Sequence, residues 1–495
     1  MSGPARSTAP DSSTDQFIQG IGPAAAISLV VGSMIGSGIF IVSADIGRQV
    51  DGWGPGGLLL VWLLTGLMTM AGALSYAELA AMLPKAGGQY VFLRDGLSPS
   101  MGFLYGWTLF TVIQTGTIAA VAVAFAKFLA VLLPGITPDV WLKLGTLRLP
   151  GGAIELGLSH QRLVALVMIA VLTWVNMRGV ELGARIQTGF TVAKVGALAA
   201  LVLLGLFVFR VPEAADVNRS GFWGTAPWGL AMLPVVGAAM VGSLFSSDAW
   251  NNVTFAAAEV REPQKNLPRA LALGTALVSV LYILANFAYL NVLPFHGAAD
   301  GADVMARGIQ HASQDRVGTA ALEVMFGGAG ATVMAIAILV STFGCNNGLI
   351  LAGSRVYYAM AKDGLFFMER AGHLDPATRT PTWGLIAQAG WAMVLCLTGS
   401  YGQLLDYVIF AALIFYLLTT LALFNFRRTR PDLPRPVKAF GYPVVPALYM
   451  VAIAFLLVVL LVDPEKRKFS AFGLVLVALG LPVYLLWHRR GRPGT

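Results

Sequence analysis

The chain is 495 residues long, 57% hydrophobic and only 12% charged, with a mean hydropathy of +0.72. No soluble class has that composition, so most of the surface has lipid as its solvent. The formal charge of +8 comes from Lys and Arg placed between apolar runs, not from a basic face interleaved with aromatics, which sets nucleic acid aside as a partner.

In chain order, residues 1–18 are polar, rich in Ser, Thr and Pro, and lack the apolar core of a signal peptide; they read as a disordered cytoplasmic tail. Runs long enough to cross a hydrocarbon core of about 30 Å, at about 1.5 Å per residue, come next. They fall near 21–48, 55–83, 100–133, 161–177, 184–209, 229–258, 268–293, 324–360, 382–399, 403–426, 442–462 and 469–488. This predicts an all-α polytopic membrane protein of about 12 transmembrane helices with both termini on one side. Most Lys and Arg outside the runs follow even-numbered ones, among them Arg178, Arg185, Arg261, Lys265 and Arg269. By the positive-inside rule that face and both termini are cytoplasmic, in a plasma (inner) membrane, although Lys466, Arg467 and Lys468 oppose the trend. Arg427, Arg428 and Arg430 read as a topology anchor against anionic membrane lipid.

The segment Val31-Gly-Ser-Met-Ile-Gly-Ser-Gly-Ile-Phe40 in the first run matches Val241-Gly-Ser-Leu-Phe-Ser-Ser-Asp-Ala-Trp250 in the sixth, at an offset of 210 residues. Five crossings separate the copies, so they run in opposite directions, as in an inverted repeat. The units expected are 19–210, with helices 1–5, and 211–428, with helices 6–10; 429–488 adds two helices and 489–495 a cytoplasmic tail. Small residues in a membrane helix often serve only close packing. Paired Gly and Ser clusters in matching halves point instead to broken helices around a transported substrate. Gly36, Ser37 and Gly38 tolerate unwound backbone, which frees amides for a carboxylate at a positive helix end and carbonyls for an ammonium group. One site would then read a zwitterion.

These residues resemble the first broken helix of the amino acid-polyamine-organocation superfamily, and most closely that of its L-type amino acid transporters. The likeness extends through Gly72-Ala-Leu-Ser-Tyr-Ala-Glu-Leu-Ala-Ala-Met-Leu-Pro-Lys-Ala-Gly-Gly-Gln-Tyr90, Asn266-Leu-Pro-Arg269, Phe343-Gly-Cys-Asn-Asn-Gly348, Ser354-Arg355, Arg430-Pro-Asp-Leu-Pro-Arg-Pro436 and Gly480-Leu-Pro-Val-Tyr484, over about residues 20 to 488. The resemblance implies a 5+5 inverted repeat with helices 1 and 6 broken. It implies a substrate site at Met34, Gly36, Ser37, Gly38, Phe245, Ser246 and Asp248, with the amides near Ser37 and Gly38 taking a carboxylate and carbonyls of Met34, Phe245, Ser246 and Asp248 taking an amino group. Phe245 would be the gate, with an aromatic packing residue as its plain alternative. The implied function is amino acid transport by alternating access, with no enzymatic chemistry, cofactor or metal.

Lys194 lies about ten residues into the fifth run, where an amine needs a partner or a polar cavity, or else snorkels to the interface. The resemblance gives it a coupling role in place of a sodium ion, bonded to the broken first helix. Asp248 departs from the family's small residue. Four readings stand for it: contact with an ammonium group, a coupled proton, a pair with Lys194, or a helix cap. Exchange, proton symport and facilitated diffusion all remain open, with Asp248 favouring protons. A polyamine or organic cation carrier using Asp248, and a sensor that binds without transport, are the rival readings.

Glu78 and Arg355, near helix ends, read as surface charges whose pairing contributes only about 0 to 1 kcal/mol. Cys345 and Cys396 read as small packing residues, and the five histidines fall in loops or at helix ends, away from any catalytic cluster. Animal L-type relatives carry a disulfide-linked heavy subunit attached in the loop after the third helix. No cysteine occurs between residues 134 and 160, so the expectation is a microbial-type chain, monomeric or a non-covalent homo-oligomer.

Overall fold

The structure, a computed structural model, describes residues 17–149, 152–366, 369–398, 401–464 and 466–490. The tail expected at 1–18 therefore lies, up to residue 16, outside the described residues, as do residues 491–495 of the second tail.

Each apolar run is helical, because peptide groups in hydrocarbon find partners only within their own segment. The first run is α1 (Pro23–Met34) and α2 (Val42–Gln49), separated by unwound backbone and a 3-10 turn at Gly38–Phe40. Then come α3 (Gly54–Met82), a short α4 (Gln89–Gly96), α5 (Pro99–Leu132, with a π turn at Leu109–Ile113), α6 (His160–Met177) and α7 (Val180–Val208). After α8 (Pro212–Ser220), the sixth run is α9 (Leu230–Ser246), a break, and a single turn Asn252–Phe255. The remainder is α10 (Pro263–Val292), α11 (Val317–Phe326), α12 (Gly328–Lys362), α13 (Thr382–Cys396), α14 (Tyr401–Thr429), α15 (Val444–Val462) and α16 (Arg467–Arg490). Serines at the N-caps of α5 and α6, Ser98 and Ser159, accept from the amides of Met101 and Arg162 and fix where those helices begin.

Nine helices are long and apolar enough to cross a bilayer alone, among the described residues. The halves α1 and α9 are shorter because the chain unwinds in mid-run. Their carbonyls and amides at the breaks need other partners, and α7, α10 and α12 pack around α1 to supply them. The loop after the third run holds an antiparallel hairpin, β1 (Leu142–Leu149) with β2 (Gly152–Leu158), which the reading of apolar runs passed over.

Two charges depart from their surface reading. Glu78 and Arg355 are both buried, with 0% and 1% of their surfaces exposed. The last turn of α14 and the chain that follows it cover the end of α3, so the Glu78 carboxylate accepts from Arg427 Nε and Nη2 at 3.0 and 2.6 Å, and from the Ala439 amide at 2.7 Å. Arg355 makes a two-pronged pair with Glu259, at 3.1 and 3.0 Å, and its remaining nitrogen donates to Leu351 O and Ser354 Oγ. Planar fork geometry of this kind favours Arg over Lys. The backbone of Glu259 also accepts from the Ile21 amide, and Arg261 N returns a bond to Ile21 O, tying the entry of α1 to this buried pair. Arg355→Met leaves the Glu259 carboxylate unpaired, and such orphaned charges cost about 3–5 kcal/mol. We expect a lowered midpoint in thermal unfolding of the detergent-solubilised protein, largely regained in the double variant Glu259→Gln/Arg355→Met; an unchanged midpoint in the single variant refutes this.

Candidate functional site

Unwinding at Ile35–Ser37 exposes a run of carbonyls, and each of those from Gly32 to Gly36 has a side-chain donor. Lys194 Nζ donates to Gly32 O at 2.5 Å, Ile35 O at 2.8 Å and Ser341 O at 3.2 Å, and is 1% exposed. Cys345 Sγ donates to Ser33 O at 3.0 Å. Tyr282 OH donates to Met34 O at 3.1 Å, and Ser341 Oγ to Ile35 O and Gly36 O at 3.2 and 3.1 Å. All three of Lys194's contacts are carbonyls, so its head is held inside the bundle and does not snorkel to an interface.

The amides are the opposite case. Among the described residues, the N–H groups of Gly36 and Gly38 have no acceptor. Both lie at the start of the turn that leads into α2, where a helix end presents its positive pole. The second break lies against them. A Cβ on Gly38 would stand 2.0 Å from Ser246 Oγ and 3.0 Å from Ser246 Cα, so glycine is required by the approach of the two breaks.

α9 ends at Ser246, whose hydroxyl donates to Gly242 O, and the chain turns through Ala249 at a φ of 64°, strained for a residue with a side chain. Ser246 O accepts from the same Tyr282 hydroxyl, at 3.0 Å, that serves Met34 O. One buried phenol therefore ties both breaks together. Phe245, one residue before, is buried with 8% of its surface exposed.

The Asp248 carboxylate accepts a hydrogen bond from Tyr416 OH of α14. It makes no pair with Lys194, whose amine is spent on the carbonyls of Gly32, Ile35 and Ser341. That reading is set aside, and contact with an ammonium group, a proton role or a backbone cap stands. Asp248 borders a narrow cavity of about 10 Å³, barely room for one water, whose polar side is Gln89, Gln114, Thr117, Asn251, Asn252 and Tyr416 and whose other side is apolar. The Asn252 Nδ2 group on its wall is buried without a partner, while Asn251 and Gln89 are joined at 2.7 Å.

Tyr282, Ser341, Cys345 and Tyr416 went unread in the sequence as site residues. A signal existed for the first: Thr275, Ser279, Tyr282, Asn286 and Tyr289 recur at helical spacing and mark a polar face along an apolar run.

Two oppositely directed helices broken at adjoining points, with unpartnered amides between them, define a membrane transporter of the broken-helix kind. The comparisons with known proteins agree: the sequence profile described as amino acid permease matches residues 21–483. The chain belongs to the amino acid permease family. It is 31% identical over 480 residues to the mouse "Large neutral amino acids transporter small subunit 2", covering 94% of this chain and 80% of the relative. It is 29% identical over 472 residues to the "Serine/threonine exchanger SteT" of Bacillus subtilis, covering 95% of this chain and 97% of the relative. The mouse "b(0,+)-type amino acid transporter 1" matches at 27%, over 94% of this chain and 87% of its own length.

Tyr282→Phe removes one donor from two carbonyls. We expect a loss of about 1–3 kcal/mol in stability, read by thermal unfolding. Tyr289→Phe, which gives up a single 3.3 Å bond to Ile39 O, should cost less. Equal effects would mean that the bridge between the breaks carries no special weight.

Proposed function

We propose that this chain is a secondary transporter that exchanges amino acids across the membrane by alternating access. The observation that carries the reading is the pair of unpartnered amides at Gly36 and Gly38, set against Ser246 at the positive end of the turn into α2. The substrate carboxylate docks on these amides, with Ser37 between them. Its ammonium group takes the second lone pairs of the Met34 and Ser246 carbonyls, which already accept from Tyr282, together with the Phe245 carbonyl. Phe245 closes over the bound substrate. Lys194 acts as the coupling residue, since its amine holds Gly32 and Ile35 on either side of the unwound stretch, and substrate docking on the neighbouring amides loads the same backbone.

Exchange is favoured by the relatives, one of which is named an exchanger. The chain works in a plasma (inner) membrane with both termini cytoplasmic, as a monomer or non-covalent homo-oligomer. The stretch 134–160 offers no cysteine for a disulfide-linked subunit.

In proteoliposomes, uptake of a labelled amino acid should rise when unlabelled amino acid is loaded inside and should ignore an imposed pH gradient. Uptake that follows the gradient regardless of internal load makes the chain a proton symporter; binding without any counterflow makes it a sensor. Gly38→Ala forces the two breaks apart and should lower uptake by about tenfold or more, the scale of a 1–3 kcal/mol overpacking.

A second reading has one observation in its favour, the buried Asp248 carboxylate on a cavity of amide side chains. If the cargo is a polyamine or another organic cation, Asp248→Asn should abolish binding of amines that lack a carboxylate at every pH. Under the amino acid reading the same variant keeps zwitterion binding and changes side-chain preference alone. Equilibrium binding of alanine, lysine and putrescine separates the two.

A further inference from the structure

Away from the substrate site, a crevice of about 830 Å³ opens where α3, the start of α10 and the chain at 436–440 meet. Three cations line it, Lys265, Arg269 and Lys438, and no acidic residue does among the described residues. Arg269 and Lys438 have neither an ion pair nor a hydrogen bond, and Lys265 meets only Glu262, in an exposed contact of 3.4 Å. Such a concentration of unpaired charge would repel itself without a counter-ion.

The walls between the cations are apolar, with Leu74, Leu273 and Phe440 among them, and Leu273 and Phe440 are 58% and 68% exposed. The exposure continues in one direction only. On α10, Lys265, Arg269, Leu273, Leu277 and Val280 follow one another at helical spacing, basic at the helix start and apolar beyond; Leu273, Leu277 and Val280 are all exposed. On α3, exposed Leu63 and Leu67 fall on the face of Leu74, and on α15 exposed Val444, Leu448 and Val451 run the same way from Phe440. Charge therefore sits at the membrane boundary, and oil-facing stripes lead from it into the bilayer.

We propose that this crevice binds an anionic phospholipid, its phosphate held by Lys265, Arg269 and Lys438 and its acyl chains laid along the exposed stripes of α3 and α10. A free phosphate satisfies the cations but not the apolar walls; a neutral lipid does the reverse. Juxtamembrane cations attract anionic headgroups, so several acting together select the anionic headgroup by about tenfold or more.

The test is native mass spectrometry of the full chain in detergent with equimolar phosphatidylglycerol and phosphatidylcholine. Wild type should retain phosphatidylglycerol about tenfold over phosphatidylcholine, and millimolar inorganic phosphate should not displace it. Arg269→Gln/Lys438→Gln should lower that preference to about twofold, whereas Arg185→Gln, removing an exposed cation elsewhere on the chain, should leave it unchanged. Equal retention of the two lipids by wild type, which needs no variant to fold, overturns the proposal. So does full preference in the double variant, or displacement by phosphate, which would make this an ion site without a lipid.

Discussion

An unwound peptide group within a bilayer has no water to turn to, and the whole centre of this molecule is arranged around that constraint. The solution is lopsided. All the freed carbonyls from Gly32 to Gly36 are met by donors on α7, α10 and α12, while the amides of Gly36 and Gly38 are met by none. Donors are therefore in surplus, one of the neighbours is a lysine, and the turn into α2 adds its positive pole. Whatever completes the site must bring acceptors. A carboxylate does so with two oxygens, which is the physical ground for the proposed docking of the acid end of an amino acid here.

The same break separates two anchored halves. On one side, α1 is held through Ile21 to the strand-like backbone at Glu259 and Arg261, and Glu259 is clamped in turn by Arg355. On the other, α2 is held by Ser43 to Asn286 and by Arg48 to Gln310 O and Asp315. The two anchors differ in kind. Arg48 and Asp315 keep about a third of their side-chain surface in water, where ion pairs contribute about 0–1 kcal/mol. The Glu259–Arg355 pair is sealed at 1% exposure on both partners, and separating it strands a charge. If the halves of the first run swing independently about the break, α2 is the easier to release.

Much of this was legible beforehand, and for a physical reason. Hydrophobic length, the paired Gly and Ser clusters and the depth of Lys194 are local properties of the chain, and bilayer thickness turns them into spans, breaks and a buried amine. What stayed hidden depends on how distant segments fold back. Glu78 looks like a charge at a helix end until the last turn of α14 covers it with Arg427 and the chain beyond adds the Ala439 amide. Arg355 looks the same until the turn after the second break brings Glu259 to it, 96 residues away in sequence. Tyr416 cannot be assigned to Asp248 from spacing, since 168 residues intervene. The hairpin at 142–158 did leave a trace, in Leu142-Lys-Leu144, Leu147-Arg-Leu149 and Ile154-Glu-Leu-Gly-Leu158, but the alternation is short, is interrupted at Gly145 and Thr146, and went unread beside the longer apolar runs.

Backbone recognition has a consequence for selectivity. In the proposed mode, peptide groups at the breaks would contact only the atoms that every amino acid shares, and discrimination would have to come from whatever surrounds the variable side chain. Here the wall beside the second break is mixed: a carboxylate, two asparagines, two glutamines and a threonine face Leu109, Ile113, Phe255 and Leu349, with one Asn252 donor unpartnered. Under the proposed reading an aliphatic side chain would leave the Asn252 donor without a partner, at about 1–3 kcal/mol, whereas a side chain with its own acceptor would complete it. The cavity is also too small to receive a side chain as it stands, so admission requires Asn251, Gln89 or Tyr416 to give up existing bonds. Under the proposed reading a polar side chain would repay those bonds in place, while Leu109, Ile113, Phe255 and Leu349 of the same cavity would meet the apolar part of the cargo.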